Sequence, residues 1–477
     1  MDGKFDVIII GGGPGGTPAA IQLASAGKKV LLAEESGKLG GACLFVGCIP
    51  SKIIKHGADA FSNSAQGHRY DAVSKEVLAA TWQSIRRDID RILNGRSSEA
   101  AQQINRMPIT FMTGKVRFIS NNEVEISNNR YRFDKAIIAP GSHSFIPPVR
   151  GNGVQEVLTS EVLFRLPALP SSMLIIGGGP IGIEIAQMLT KLHVKCPIVE
   201  MMPSVLSGVV EPEFARGITQ KLQESGIDVN TSSTVQEINK INGAFRTEFT
   251  DAEGKTRIIL AEKVLVVTGK VPSIEDLNLE ATDVHFDRHG ISVNEFLETS
   301  VPGIYATGDV VVGAPKFAHT ATYEAHIAAT NILRGNISRV SFTKNVWVLF
   351  SDPEIAAAGL TETEAVKAGY DVMTGVYNYQ VEAASQISGD TFGFLKFVVN
   401  RQNQVILGVH LFINGASSLS GEASLIVANK LTLTDVASTI HPHPTLTEAF
   451  STLATKMLAE HQVTEPPVVM KTNAGIE

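Results

Sequence analysis

The fold of this chain is decided by the stretch FDVIIIGGGPGGTPAAIQLASAGKKVLLAEE, residues 5–35. An apolar run, a glycine-rich turn, an amphipathic segment and a second apolar run predict strand, turn, helix and strand. The turn carries G-x-G-x-x-G at Gly11, Gly13 and Gly16, and the second strand ends on the acidic Glu34. Such glycines allow a tight turn, close approach of backbone to a pyrophosphate, and packing of helix on strand. The stretch therefore predicts a dinucleotide-binding unit.

The same plan recurs in MLIIGGGPIGIEIAQMLTKLHVKCPIVE, residues 173–200. Its glycines are Gly177, Gly179 and Gly182, and its closing acid is Glu200. One such loop is a weak signal, but two in the same context predict two Rossmann-like domains in an α/β fold. Phosphates would lie at the helix N-termini, where unpaired amides favour negative charge.

The acid of the second unit indicates which pyridine nucleotide binds there. A carboxylate at Glu200 accepts hydrogen bonds from the ribose hydroxyls of NAD and repels the additional phosphate of NADP. The following residues, in EMMPSV, contain no arginine that could reverse this preference. The second unit therefore favours NAD.

Length and composition exclude several classes of protein. At 477 residues the chain exceeds what one core serves, and three domains are expected. The net charge of −7 and the scattered lysines and arginines give no footprint for nucleic acid. Apolar runs fall short of a membrane span, and the N-terminus shows no targeting segment, so a cytoplasmic protein is expected. Three cysteines cannot form an extracellular framework, so a disulfide would be catalytic, regulatory or accidental.

The remaining segments add sheets and helices. Residues 74–104 show helical periodicity interrupted by NGRSS at 94–98, which predicts two helices. Residues 109–139 and 227–268 alternate as strands. From about residue 344, alternating strands followed by helices predict an α+β domain packed as an interface.

Two of the cysteines stand five positions apart in GGACLFVGCIPSK, residues 40–52. They follow the first nucleotide unit by only a few residues, which places Cys43 and Cys48 near the reactive end of its cofactor. A loop of this length can close a disulfide if the backbone bends suitably. Cysteine is also often buried without a chemical role. The spacing alone leaves a redox couple and two core thiols as alternatives.

Five motifs in order along the chain resemble those of the pyridine nucleotide-disulfide oxidoreductases, and most closely the dihydrolipoamide dehydrogenases among them: GGGPGG, GGACLFVGCIPSK, GGGPIGIEIA, YATGDV and HPHPTLTEAF. The resemblance covers nearly the whole chain. It implies FAD in the first unit, NAD in the second, and a homodimer whose C-terminal domain completes the partner's active site. The implied domains are 1–146 (FAD, first segment), 147–274 (NAD), 275–343 (FAD, second segment), 344–465 (dimerisation) and 466–477 (flexible tail).

The resemblance also implies roles for the residues around the cysteines. Cys48 would be the charge-transfer thiol that faces the flavin, and Cys43 the interchange thiol that reacts with substrate sulfur. Lys52 would lie beside the flavin and pair with Glu184. A cation there favours an anionic reduced flavin and a Cys48 thiolate.

Further cofactor positions follow from the same resemblance. Glu34 would bind the FAD ribose, and Asp309 of ATGD the ribitol chain. The remaining implied cofactor-binding residues are Gly114, Ala318, Val235 and Gly269, and no metal site is predicted.

In the C-terminal motif, His443 and Glu448 match the base and its orienting carboxylate. Neutral imidazole can take a thiol proton near pH 7, and a carboxylate on its other nitrogen fixes the tautomer. His441 is the competing candidate, but only His443 has the family's spacing to the acid. His319 matches a position near the cofactor and could equally serve packing. Cys196 is predicted to be a buried core residue.

The chain departs from the family pattern at Ala42 and Phe45 in the cysteine loop, at Pro140, at Lys270 where arginine is usual, and at Pro442. An apolar ring at Phe45 could reshape the entrance for the substrate. These departures leave every reacting group in place but put the sulfur substrate in doubt.

The implied reaction is oxidation of a dihydrolipoyl group with reduction of NAD, through FAD and a Cys43–Cys48 disulfide. The partner would be a lipoylated carrier: a 2-oxo acid dehydrogenase acyltransferase, a glycine-cleavage carrier or another lipoylated protein. Three alternatives remain: a reductase of a small disulfide such as glutathione, a mercuric reductase, and a non-catalytic FAD-binding scaffold.

Overall fold

The structure, a computed structural model, describes residues 3–67 and 74–464. No helix in these two ranges is long and apolar enough to cross a membrane. The predicted tail, 466–477, lies outside the described residues. The chain divides into two compact units, one within Met1–Val209 and Ala215–Phe342, the other within Val210–Phe214 and Thr343–Glu477. The finer domain boundaries inside the first unit stay predictions.

The strands, in chain order, are β1 (Gly3–Ile10), β2 (Val30–Glu34), β3 (Ile109–Thr113), β4 (Val116–Ser120), β5 (Glu123–Ile126), β6 (Asn129–Ile138), β7 (Ser142–Ser144), β8 (Met173–Ile176), β9 (Ile198–Val199), β10 (Val229–Asn230), β11 (Thr234–Ile241), β12 (Ala244–Thr250), β13 (Thr256–Ala261), β14 (Lys263–Val266), β15 (Lys270–Pro272), β16 (Phe286–Asp287), β17 (Gly290–Ile291), β18 (Ile304–Ala306), β19 (Val346–Leu349), β20 (Ile355–Gly359), β21 (Val372–Asn378), β22 (Phe394–Asn400) and β23 (Ile406–Phe412).

The α-helices are α1 (Thr17–Ser25), α2 (Gly41–Phe45), α3 (Cys48–Gly67), α4 (Lys75–Asn105), α5 (Ser160–Leu163), α6 (Pro180–Lys191), α7 (Pro212–Glu224), α8 (Ala318–Arg334), α9 (Glu362–Lys367), α10 (Ala383–Ser388), α11 (Ala416–Ala428), α12 (Leu433–Ala437) and α13 (Glu448–Thr464).

The first glycine loop follows β1 in a sheet with strand order β3-β2-β1-β6-β5-β4, and β18 pairs with β6. Strands β1, β2, β3, β6 and β18 pair in parallel, whereas β4 and β5 add antiparallel pairs. Buried alanines of α1 and α8 share one core with Val7 and Ile9 of β1. The loop therefore lies at the carboxyl end of a central parallel strand, where α/β sheets bind ligands.

The second glycine loop follows β8 in a parallel sheet of order β10-β9-β8-β14. The chain between β10 and β14 forms an antiparallel sheet of order β11-β12-β13. Strands β7 and β15 pair in a separate antiparallel sheet. The repeated plan of two nucleotide units, each with a sheet, is thus confirmed.

The second compact unit is built on a five-stranded antiparallel sheet of order β19-β20-β23-β22-β21. Buried residues of α11 (Leu419, Ala423) and α13 (Phe450, Leu453) share a core with its strands. The predicted α+β class of this region is confirmed.

The prediction of two helices over residues 74–104 is wrong, because α4 runs unbroken from Lys75 to Asn105. A buried stripe continues through the supposed break, from Trp82 through Leu93 and Ser97 to Ile104. A Cβ at Gly95 would meet nothing within 4 Å, so this glycine lies on the open face. A glycine costs an exposed helix only about 1 kcal/mol, which packing of the buried stripe outweighs.

Candidate active site

The first glycine loop is shaped by close backbone contacts. Gly11 has φ of +109°, and a Cβ there would lie 2.1 Å from the carbonyl oxygen of Ala139. A Cβ at Gly16 would lie 2.0 Å from the carbonyl oxygen of Gly11. Only glycine fits these two positions. Oε2 of Glu34 accepts the N–H of Gly12 at 2.8 Å, which holds the acid against the loop.

The second loop repeats this geometry. A Cβ at Gly177 would lie 2.6 Å from the carbonyl oxygen of Val267, and one at Gly182 would lie 2.0 Å from that of Gly177. Glu200 accepts the N–H of Gly178 at 2.5 Å through Oε2 and that of Met202 at 2.7 Å through Oε1. Both predicted acids therefore lie on the loop of their own unit.

Both loops have the features that a dinucleotide requires. The N-caps of α1 and α6 are Gly16 and Gly179, and in the described part of the chain neither helix start has a side-chain cap. Although Thr17 donates its N–H to the carbonyl oxygen of Gly13 and Pro180 has no N–H, no described side chain competes with a phosphate at either helix start. A Cβ at Gly179 would meet no described atom within 4 Å, which leaves the approach to that backbone open. The residues present fit FAD and NAD.

The cysteine loop is packed directly on the first glycine loop. The N–H of Gly40 donates to the carbonyl oxygen of Gly12 at 2.9 Å. A Cβ at Gly41 would lie 2.7 Å from the Cα of Gly13. Cys43 lies within α2, and Cys48 is the first residue of α3. The backbone thus brings the predicted redox segment to the predicted FAD loop.

The two cysteines are free thiols, and the thiol of each is the largest influence on the pKa of the other. The hydrogen bond from Cys43, and after it the ammonium of Lys52, lower the pKa of Cys48 to about 7, although burial and Glu184 oppose this. The hydrogen bond with Cys48, followed by burial, raises the pKa of Cys43. The position of Cys48 at a helix N-terminus also favours its thiolate. These surroundings favour the thiolate on Cys48 over a thiolate on Cys43.

An ion pair places a cation beside this thiolate. Nζ of Lys52 lies 2.8 Å from Oε2 of Glu184, and their side chains are 32% and 12% exposed. A second contact joins the same helices, because Asp59 of α3 pairs with Lys191 of α6 at 2.6 Å. The structure thus brings together Cys43, Cys48, Lys52 and Glu184.

Asp309 lies in a turn between β18 and α8. Its Oδ2 accepts the hydroxyl of Ser142 at 2.6 Å. Ala318, another predicted cofactor residue, begins α8. Gly114 lies between β3 and β4, and its N–H donates to the carbonyl oxygen of Glu34 at 3.2 Å.

The two remaining positions belong to the second nucleotide unit. Val235 lies in β11. Gly269 lies between β14 and β15 and has a φ of +139°. Its carbonyl oxygen accepts the N–H of Phe145 at 3.0 Å.

The two candidate histidines lie in the second compact unit and differ in exposure. Nδ1 of His443 lies 2.9 Å from Oε1 of Glu448, and the ring is 72% exposed. Its Nε2 makes no hydrogen bond to the described residues. The ring of His441 is 6% exposed and bonds Glu422 at 2.8 Å and the carbonyl oxygen of Thr439 at 3.1 Å. His443 alone keeps a ring nitrogen open for a substrate proton.

Glu448 is held as a carboxylate. The N–H of Thr445, followed by His443, lowers the pKa of Glu448. An ionised Glu448 orients the His443 ring through Nδ1 and leaves Nε2 to act.

The other two residues considered from the sequence have local roles. The ring of His319 stacks on that of Phe317, with ring centroids 5.3 Å apart. Cys196 is 4% exposed, and burial raises its pKa to about 12, so it lies in the core as expected.

Sequence reasoning missed Glu324 of α8. Its side chain is fully buried and accepts the N–H of Gly308, next to Asp309. The signal was present, because Glu324 falls in the apolar stripe of α8 with Ala321, Ala325 and Ala328.

The sequence matches two family models. Residues 5–325 match "Pyridine nucleotide-disulphide oxidoreductase", and residues 346–454 match "Pyridine nucleotide-disulphide oxidoreductase, dimerisation domain". The second match supports a homodimer.

Similar proteins of known name cover nearly the whole chain. A dihydrolipoyl dehydrogenase from Geobacillus stearothermophilus is 33% identical over 461 residues, which are 93% of this chain and 94% of that protein. A mercuric reductase from Staphylococcus aureus is 30% identical over 455 residues, 95% of this chain and 82% of that protein. The fold is similar to that of the HOCl-induced flavoprotein disulfide reductase RclA from Escherichia coli. That structure has a TM-score of 0.82 and 24% identity, and the match covers 94% of this chain and 99% of that one. The chain belongs to the pyridine nucleotide-disulphide oxidoreductase family, is an oxidoreductase, and uses FAD and NAD as its cofactors.

Proposed function

We propose that this chain oxidises the dihydrolipoyl group of a carrier protein and reduces NAD, as a homodimer with Cys43 and Cys48 as its redox couple. The observation that carries the proposal is the pair of adjacent thiols with opposite pKa shifts, packed on the first glycine loop. The similarity to dihydrolipoyl dehydrogenases at 33% identity over 93% of the chain supports the choice of substrate.

The cofactors are assigned to the two loops. FAD would be held by the loop of Gly11, Gly13 and Gly16, with Glu34 at its ribose and Asp309 at its ribitol chain. NAD would be held by the equivalent glycines and acid of the second unit: Gly177, Gly179, Gly182 and Glu200. When bound, FAD accepts the two electrons of a dithiol and transfers them as hydride to NAD.

The thiol chemistry begins with the oxidised, disulfide form of the couple. His443, supplied by the second copy of the chain, takes the proton of one substrate thiol through Nε2. The resulting thiolate attacks the sulfur of Cys43, a mixed disulfide forms, and Cys48 leaves as thiolate. The second substrate thiol releases its proton to solvent and attacks its own first sulfur, which expels Cys43 as His443 returns its proton to the Cys43 sulfur. The substrate has then lost two electrons as lipoyl disulfide, and the protein holds them as a dithiol.

The direction of attack follows from the cation beside Cys48. A disulfide breaks faster when the departing thiol has the lower pKa. The ammonium of Lys52 lowers the pKa of Cys48 and does not depend on a proton at Cys43, so Cys48 is the better leaving group when the disulfide opens. Cys43 cannot stay ionised alone near neutral pH when it is expelled. It needs the proton that His443 took from the first substrate thiol, so His443 acts first as the base and then as the acid.

The choice between nucleotides rests on Glu200. Both of its oxygens accept backbone N–H groups of the loop, so a carboxylate is held where a ribose hydroxyl would bind. This favours NAD and counts against a glutathione-type enzyme that uses NADPH.

Steady-state kinetics test the function. We expect turnover of dihydrolipoamide and of a lipoylated carrier domain with NAD, and little with NADP. Glutathione disulfide with NADPH and Hg(II) with NADPH are the competing reactions, and a higher kcat/KM for either one would overturn the proposal. Cys43→Ser and Cys48→Ser should each lose at least about a thousandfold in thiol turnover and still bind FAD. Cys196→Ala is the matched control, because its thiol is buried outside the couple.

A further inference from the structure

Glu324 is a buried carboxyl group that the proposed thiol chemistry does not use. Its side chain is 0% exposed. Oε2 accepts the N–H of Gly308, and Oε1 has no hydrogen-bond partner among the described residues. A charged carboxylate with one amide donor and no cation is costly to bury, and the uncharged acid is far less so.

The group that Glu324 holds is the turn of the ATGD motif. Gly308 lies between Thr307 and Asp309 in the chain and has a φ of +79°. The hydroxyl of Thr307 donates to the carbonyl oxygen of Gly15 at 2.9 Å, and Asp309 accepts from Ser142 at 2.6 Å. The turn therefore connects the first glycine loop to Asp309. Helix α8 holds this turn through the hydrogen bond from the Gly308 N–H to Glu324.

Burial and the charge nearest to Glu324 both raise its pKa. Burial, and after it the carboxylate of Asp309, raise the pKa of Glu324 to about 7, although the N–H of Gly308 opposes this. On its own helix, the residues one turn away are Thr320 and Ala328, which carry no charge. Among the described residues, no cation contributes to the pKa shift of Glu324.

We propose that Glu324 is a positioning residue of the FAD site, which in its uncharged form holds the Gly308 amide and so orients Asp309. The carbonyl oxygen Oε2 accepts from Gly308, and Oε1 carries the proton. This rests on the assignment of Asp309 to FAD in the proposed function.

Three variants test this inference. Glu324→Gln keeps the shape and the acceptor without a charge, Glu324→Leu removes the acceptor, and Glu99→Gln changes an exposed helical glutamate as the control. The first readout is FAD binding to the apoprotein by titration. We expect Glu324→Gln to bind within about threefold of the wild type. Glu324→Leu should bind at least about tenfold more weakly, because it leaves a buried amide without an acceptor.

The second readout is thermal unfolding of the apoprotein. A carboxyl group whose pKa rises from 4.5 to about 7 on folding destabilises the folded state as the pH increases through that interval. Glu324→Gln lacks this loss, so its unfolding temperature should rise relative to wild type between about pH 5 and about pH 8. Glu99→Gln should show no such change. This readout decides the question even if Glu324→Leu does not fold.

Equal loss of FAD binding in Glu324→Gln and Glu324→Leu would show that the charged form is needed and would overturn the inference. Wild-type binding by Glu324→Leu, or an unchanged pH dependence in Glu324→Gln, would also overturn it. Neither readout contains a thiol substrate. Failure to oxidise dihydrolipoamide therefore counts against the proposed function alone.

Discussion

Nζ of Lys52 lies 2.8 Å from Oε2 of Glu184, although 132 residues separate them in the chain. Lys52 is one turn along α3 from Cys48, and Glu184 lies in α6 directly after the second glycine loop. The cation lowers the pKa of Cys48 and the carboxylate raises it. The ion pair thus joins α3, which begins at Cys48, to α6 of the second nucleotide unit. Its two members shift the pKa of Cys48 in opposite directions.

Substitution of these partners should shift the pKa of Cys48 in opposite directions. Lys52→Met removes the cation and should raise this pKa by about one unit. Glu184→Gln removes a negative charge that raises this pKa and should lower it. The pH dependence of alkylation at Cys48, followed by mass spectrometry of the reduced apoprotein, measures both shifts. Lys55→Met is the matched control, because Lys55 pairs with Asp59 and is not among the main influences on the pKa of Cys48. Shifts of the same sign in the two variants would contradict this interpretation.

The thiol of Cys43 is the largest influence on Cys48. Cys43→Ala removes its hydrogen bond and should move the pKa of Cys48 from about 7 toward the ordinary value of 9.0. Cys43→Ser keeps a hydroxyl donor and should produce a smaller shift. Thiolate absorbance against pH, recorded for each variant with Cys196→Ala as background, gives the comparison. Identical titrations of the alanine and serine variants would show that the hydrogen bond is not the cause.

The two histidines of the C-terminal motif should respond differently to the same substitution. His443→Gln should reduce kcat/KM for dihydrolipoamide by about a hundredfold or more, because the open Nε2 is lost, and leave thermal unfolding unchanged. His441→Gln should lower the unfolding temperature, because its ring is 6% exposed and bonded at both nitrogens. Activity and unfolding measured on both variants test this division. A catalytic loss confined to His441→Gln would reverse the assignment.

Lys270 stands where the family usually has arginine, and it forms an ion pair with Glu161. The contribution of this ion pair to stability can be measured. Burial opposes ionisation of Glu161, but Lys270 and Ser144 outweigh it and lower the pKa of Glu161 to about 2. A pKa depressed on folding contributes stability that is complete above pH 4.5 and lost as the pH falls toward 2. Lys270→Met should therefore cost about 1 to 2 kcal/mol near pH 7, after allowance for partial exposure, and less near pH 3. Lys270→Arg should keep the stability.

Denaturant unfolding at several pH values measures this difference. A cost for Lys270→Met that does not change with pH would show that the lost lysine stem, and not the ion pair, is responsible.

Local patterns were enough to predict the two nucleotide units, whereas the roles of Cys43, Cys48, His443 and Glu448 came from the resemblance of their motifs to a known family. Each is a short segment whose chemistry needs fixed residue types at fixed intervals, such as a glycine where a Cβ would lie 2.0 Å from a carbonyl oxygen. The α+β class of the C-terminal region followed from strand alternation for the same reason.

Only the tertiary structure decided the features that depend on distant segments. Packing of a continuous buried stripe keeps α4 whole through Gly95, against its local propensity. Burial separates His441 from His443, which have similar neighbours in sequence. Burial raises the pKa of Glu324, whose hydrogen-bond partner Gly308 is sixteen residues away. Sequence spacing determines which groups can react, whereas burial and long-range contacts determine their charge, because both depend on how much water and which partners the folded chain leaves them.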